Sequence, residues 1–252
     1  MGDQSVSAAP GPSDVHLWCL PLVRPFAAVE REPLIEWLSE DERARHARFL
    51  FEPDRDQFLA AHALARGLLA RALECRPIDL AFRATAHGRP ELAGEAAWRF
   101  NLSHTRGLVT CALVQRRDIG VDVECRDRAE DHVDLARRFF APEEADAIEQ
   151  APPAERRALF LEYWTLKEAY LKAVGAGLAH SLRRVAFRLP SAGRISVMAN
   201  GTDESEAWLF ERRCPTALHH LAVAVRREGP GDVLRLSSFV VDVPTLVGWF
   251  QE

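Results

Sequence analysis

The stretch Asp118-Ile119-Gly120-Val121-Asp122-Val123-Glu124 decides how the chain divides, because there a strand pattern starts over after a full set of helices and strands has passed. Upstream lie a strand at Asp14 to Val23, a helix near Val29 to Leu38, and a helix opening at Ser39, where Ser39 and Glu42 form a capping-box pattern. A long amphipathic helix, Pro53 to Leu73, carries Phe58, Leu59, Leu64, Leu68, Leu69 and Leu73 on its apolar side. Strands follow at Leu80 to Thr85, Trp98 to Leu102 and Leu108 to Val114. Beyond Glu124 the order repeats: a helix at Pro142 to Gln150, a long helix at Pro153 to Val174 closed by Gly175 and Gly177, then strands. Those strands are expected at Val185 to Leu189, Arg194 to Ala199, Trp208 to Arg212 and Leu221 to Arg226. Arg48-Phe49 before Pro53 and Arg138-Phe139-Phe140 before Pro142 look like echoes of one duplicated unit. The reading is an α+β fold of two similar halves in a pseudo-twofold arrangement, residues 14–116 and 117–252, behind a disordered lead at residues 1–13. Such halves would leave a ligand cleft between them.

Composition narrows the class. With 48% hydrophobic and 27% charged residues in 252, the chain reads as a soluble globular protein rather than a disordered, collagen-like or disulfide-scaffold one. Five scattered cysteines without a CxxC pair signal neither zinc nor a disulfide framework, and a reducing cytoplasm suits them. The small, polar start from Met1 to Pro12 reads as a disordered lead rather than a secretory leader, and no apolar run reaches the roughly 18 residues of a membrane span. A net charge of −5 argues against nucleic acid as a partner. Only Lys167 and Lys172 are lysine; every other basic side chain is arginine. A sequence that abandons lysine elsewhere keeps it where a compact, strongly hydrated ammonium matters.

Three stretches carry candidate chemistry. In Asp118 to Glu124, alternation places Asp122 and Glu124 on one strand face, about 6–7 Å apart, where they can converge on one hard cation; the plainer reading is a solvated acidic face. Gly120 leaves room for a neighbouring backbone or a ligand. In Trp164-Thr165-Leu166-Lys167-Glu168-Ala169-Tyr170-Leu171-Lys172, four-residue steps align Trp164, Glu168 and Lys172, with Lys167 about 140° away. The plainer reading there is an exposed Glu168/Lys172 ion pair. In Arg99-Phe100-Asn101-Leu102-Ser103-His104-Thr105, an apolar strand runs into groups able to hold a phosphate, or simply ends in a turn. Ser103 and His104 diverge as neighbours in a strand, so they are no nucleophile-base pair. His87-Gly88-Arg89-Pro90 is a turn bearing a cation, and Arg43, Arg45 and Arg48 form a basic patch.

Taken in this order, the helix around Arg45, Gly-Arg-Pro, Phe-Asn-Leu-Ser-His, Ile-Gly-Val-Asp-Val-Glu and Trp-Thr-Leu-Lys-Glu-Ala-Tyr-Leu-Lys resemble the 4′-phosphopantetheinyl transferases of the longer, internally duplicated Sfp-like type. The resemblance runs from about Arg45 to Gly177. It implies transfer of the phosphopantetheine arm of coenzyme A to a serine of an acyl or peptidyl carrier protein, with adenosine 3′,5′-bisphosphate released. It further implies Mg²⁺ held by Asp122, Glu124 and Glu168, with Glu168 also the general base. Lys172 would meet the pyrophosphate; Ser103, His104 and Arg89 the 3′-phosphate; Arg45 would be a basic contact to coenzyme A; and His87 would lie beside the adenine. Arg89 stands where the family often has lysine, and Glu42 and Gln57 where relatives carry further cations. Duplication within one chain implies a monomer. Competing expectations are another Mg²⁺-dependent phosphoester enzyme, such as a nuclease using the same carboxylates, and a non-enzymatic carrier-binding module.

Overall fold

A computed structural model describes residues 11–85, 88–94, 97–127, 132–176, 182–190, 194–229 and 231–251. Most of the proposed lead, His87 and Gly177 therefore lie outside the described residues. The first half runs β1 (Asp14–Pro21), α1 (Ala28–Glu36), α2 (Glu40–Ala47), α3 (Glu52–Leu73), β2 (Phe82–Ala84), β3 (Pro90–Leu92), β4 (Trp98–Thr105) and β5 (Leu108–Gln115). The second runs β6 (Ile119–Cys125), α4 (His132–Phe139), α5 (Pro142–Gln150), α6 (Pro153–Val174), β7 (Val185–Arg188), β8 (Ser196–Ala199), β9 (Thr202–Asp203), β10 (Trp208–Arg213) and β11 (His219–Arg226). The chain closes with β12 (Arg235–Val240) and α7 (Val243–Gly248).

The two runs have one plan: a strand, two short helices, a 22-residue helix, a small sheet or hairpin, then an antiparallel pair. In one sheet the order is β12-β1-β5-β4, in the other β10-β11-β6, so in each the opening strand pairs with the last strand of its own run. The Arg48-Phe49 and Arg138-Phe139-Phe140 echo is out of step with this plan. The first pair precedes the long helix α3, whereas the second precedes the short helix α5, and the amphipathic α4 between them escaped the periodicity reading.

Three cores hold the layers. Leu59, Leu64 and Leu69 of α3 pack with Trp18, Leu20 and Phe100 on one sheet; Leu166, Ala169 and Tyr170 of α6 pack with Trp208, Phe210 and Ala224 on the other. Between the sheets Val15, Leu17 and Cys19 of β1 meet Val121 and Val123 of β6 and Leu221 and Val223 of β11. Burial of a Val or Leu side chain is worth about 1.5–3 kcal/mol, so this third core firmly couples the halves.

We propose the division at residues 14–116 and 117–252 as the unit of duplication, with one crossing. Strand β12 pairs parallel with β1, from Asp14 opposite Arg235 to Cys19 opposite Val240. Val243, Leu246 and Val247 of α7 complete the α3 core, where Gly67 lets Trp249, Trp37 and Leu246 approach to 3.1–3.3 Å of the place a Cβ would occupy.

Candidate active site

The site lies where β4, β6 and α6 meet at the seam of the halves. Strands β4 and β6 belong to different sheets, and side chains link them. Asn101 Oδ1 accepts from Val121 N at 2.9 Å, and two residues on, Ser103 Oγ accepts from Val123 N at 3.2 Å. Period-two alternation sends both side chains across together. The Phe-Asn-Leu-Ser-His stretch thus does not end in a turn at Ser103; the strand continues to Thr105, and the turn follows at Arg106 and Gly107.

Gly120 explains how α6 reaches the same place. A Cβ there would sit 1.9 Å from Ala169 O and 2.7 Å from Ala173 N, so helix backbone lies directly on strand backbone. One pair along the same strand face, Asp122 meets the helix residues that flank Ala169 and Ala173. Lys172 Nζ donates to Asp122 Oδ1 at 2.6 Å, to Ser103 Oγ at 3.1 Å and to Val121 O at 3.1 Å. Ser103 Oγ donates to the same Asp122 oxygen at 3.0 Å, so its one proton is committed. The exposed Glu168/Lys172 pair is not what forms: Lys172 is bonded to a carboxylate 50 residues away, and Glu168 is buried.

Asp122 Oδ2 and Glu168 Oε1 are both buried without a hydrogen-bond partner among the described residues. Orphaned carboxylate oxygens cost free energy unless a cation or donor meets them. Burial pushes the Glu168 carboxyl pKa up, the charge of Asp122 pushes it further, and the Lys172 ammonium opposes both. Glu124 follows Asp122 on the same strand face, half-buried and opposite His220 of β11. Among the described residues no three His, Cys, Asp or Glu side chains are gathered as a ready metal cluster. The groups that could hold a hard cation are the two spare oxygens, with Glu124 next along the strand.

Around this centre the other expected residues divide. His104 faces away from Ser103, exposed, with Nδ1 2.6 Å from Gln57 Nε2 of α3. Partial desolvation of the ring by its neighbours lowers its pKa, as does the Lys172 charge. Arg89 reaches the end of α6, donating to Lys172 O at 2.6 Å and Ala173 O at 3.3 Å. Arg45 lies exposed on α2 with its guanidinium 5.4 Å from the Phe58 ring centre, apart from the Asp122 cluster.

Several neighbours were missed or left unassigned. Glu42 caps Ser39 N at 2.8 Å and also takes Arg66 Nε at 2.7 Å and His62 Nδ1 at 2.9 Å. Burial works to raise its pKa, but those three partners hold it at about 2. The capping box was legible; its second duty was not. His220, opposite Glu124, accepts from Arg126 Nε at 2.8 Å, and burial together with Arg126 and Arg212 pushes its pKa down to about 4.

Comparison with known proteins covers both halves. The family described as the 4′-phosphopantetheinyl transferase superfamily matches residues 118–225, and that described as 4′-phosphopantetheinyl transferase, N-terminal, matches residues 28–115. The 4′-phosphopantetheinyl transferase HetI of a Nostoc species is 38% identical over 169 residues, 66% of this chain and 70% of that one. A putative 4′-phosphopantetheinyl transferase of a Synechocystis species is 35% identical over 173 residues, 68% of each chain. Among solved structures, the holo-[acyl-carrier-protein] synthase of Neisseria meningitidis aligns at a TM-score of 0.36 and 20% identity, over 44% of this chain and 98% of that one.

Proposed function

The chain belongs to the 4′-phosphopantetheinyl transferase superfamily, and from that premise we propose that it moves the 4′-phosphopantetheine arm of coenzyme A onto a serine of an apo acyl or peptidyl carrier protein, releasing adenosine 3′,5′-bisphosphate. The observation that carries this reading is the pair of buried carboxylates, Asp122 and Glu168, each with one unpartnered oxygen, beside the Lys172 ammonium.

The reaction is a displacement at phosphorus. The serine Oγ forms a bond to the phosphorus that carries the arm, and the bond to the bisphosphate leaving group breaks. Glu168 takes the serine proton, directly or through a water; a carboxylate with a raised pKa is a better acceptor near neutral pH. Lys172 presents its ammonium to the pyrophosphate and, bonded to Asp122 and Ser103, is already oriented. Ser103, with its hydroxyl shared between Asp122 and Lys172, serves first to fix those two. Magnesium suits the donor set: Asp122 and Glu168 would hold it through their spare oxygens, with Glu124 as a further ligand. When bound, it neutralises charge on the pyrophosphate oxygens. His104, Arg45 and His87 are the proposed contacts for the nucleotide end of coenzyme A.

No described helix is long and apolar enough to cross a membrane; the proposed location is the cytoplasm, whose reducing conditions suit the free thiols of Cys19, Cys75, Cys111, Cys125 and Cys214. The third core, built from both halves of one chain, supports a monomer. Incubation with coenzyme A, Mg²⁺ and a panel of apo-carriers, read by intact mass, tests the reaction. Asp122→Ala is expected to abolish the phosphopantetheine mass addition while circular dichroism stays native; near wild-type transfer by that variant would sink the assignment.

A further inference from the structure

The turn that carries Arg89 is tightly built. Thr85 N donates to Arg89 O at 2.9 Å, Gly88 N to Thr85 O at 2.9 Å, and Arg89 N to Thr85 Oγ1 at 3.1 Å. Gly88 has φ of 79°, in the left-handed region that favours glycine. Arg89 belongs to the first half, yet its side chain, only 14% exposed, crosses to the second. There Nη1 serves two carbonyls of the last turn of α6, Lys172 O and Ala173 O. Last-turn carbonyls keep spare acceptor capacity beyond the cap, which here is Gly175 N on Lys172 O at 3.3 Å, and form the negative end of the helix dipole, so a guanidinium is well matched to them.

One of those carbonyls belongs to the residue whose ammonium binds Asp122. A single cation from the first half therefore holds the backbone of Lys172, while the Lys172 side chain holds the strand of the second. Arg89 Nε is also buried without a hydrogen-bond partner among the described residues, one donor left over for an anion at the seam. A lysine ammonium can bond several acceptors, as Lys172 does, but only from one point; it lacks the rigid fork that holds a separate Nε donor in a fixed plane.

We propose that Arg89 is a positioning residue that clamps the last turn of α6 to the first half and so sets Lys172 and Glu168 against Asp122. Contact with a phosphate is its lesser duty. The proposal rests on the transferase reading for its kinetic arm only.

The test compares wild type, Arg89→Ala and Arg89→Lys with coenzyme A and with 3′-dephospho-coenzyme A, each at saturating apo-carrier. The clamp predicts that kcat falls about tenfold or more in Arg89→Ala with both substrates, the scale of losing charge-assisted hydrogen bonds. Arg89→Lys recovers only part of it. The ratio of the two KM values stays near that of wild type. Unchanged kcat with lost discrimination between the substrates overturns the proposal and makes Arg89 a 3′-phosphate ligand. Hydrogen exchange without substrate supplies an arm independent of activity. Amides of Gly175 and Ala176, which bond to the end of α6, should exchange about tenfold faster in Arg89→Ala and faster in Arg89→Lys, while β5 and β11 stay protected. Unchanged protection at the helix end, or a loss spread evenly over the chain, overturns the clamp. Should wild type prove inactive with every carrier, the transferase reading fails and the exchange result alone decides the clamp.

Discussion

At the scale of residues, the two lysines have different work. Lys172 supplies charge at the seam, as its alignment with Glu168 suggested. Lys167, on the other side of α6, is wholly buried and paired with Glu144 of α5 at 2.6 Å, with further bonds to Leu182 O and Val185 O. Glu144 in turn accepts from Ala141 N at 3.0 Å and Phe187 N at 2.7 Å. The ammonium thus ties α6, α5 and the start of β7 at one point. Sequence could place Lys167 off the face that carries Glu168 and Lys172 but could not name its partner, because Glu144 lies 23 positions away and is only one of many acidic side chains. Removing one member of a buried pair strands the other charge. Lys167→Met is therefore expected to cost about 3–5 kcal/mol of unfolding free energy, measured by urea denaturation.

At the scale of elements, two contacts carry consequences. The approach of α6 to β6 permits no side chain at Gly120, since the clash is with backbone that cannot rotate away. Gly120→Ala must move the helix off the strand, and a cost of roughly 3 kcal/mol or more is expected, at the upper end of overpacking effects. Thermal unfolding should show it, and transfer should fall with it because Asp122 and Glu168 separate. The second contact joins α2 to α3 through Glu42. Its folded pKa of about 2 lies below the ordinary 4.5, so the unfolded chain takes up the proton first. Its contribution, about 3 kcal/mol, is present in full above pH 4.5 and disappears as pH falls through 2. Glu42→Gln should flatten that part of a stability profile measured by denaturant titration between pH 5 and 2; an unchanged slope would show that the bonds to His62 and Arg66 do not favour the charged form. Ser39 with Glu42 could be read from the sequence as a helix start, since capping is local, whereas the bonds to α3 depend on how two helices dock.

At the scale of the whole molecule, the C-terminal segment matters more than its plain sequence suggests. Strand β12 and helix α7 return to the first half, and Val241, Val243, Leu246 and Val247 are buried in its core. Cutting the chain after Asp232 exposes that core at a cost of roughly 5 kcal/mol or more, comparable to the total stability of many domains. Such a truncation should lose near-ultraviolet dichroism and transfer together; a truncated chain with native dichroism would show that β12 and α7 are dispensable. The α+β class, the repeated order and the alignment of Asp122 with Glu124 and of Glu168 with Lys172 are legible in the chain alone, because two-residue and four-residue periodicities are local properties of backbone geometry. That Lys172 pairs with Asp122, that Lys167 is buried on Glu144, that Arg89 bonds to the end of α6 and that the last strand crosses to the first sheet emerge only in the packed fold. Each of those contacts joins residues far apart in the chain, and their choice depends on packing and on which buried charge must be met.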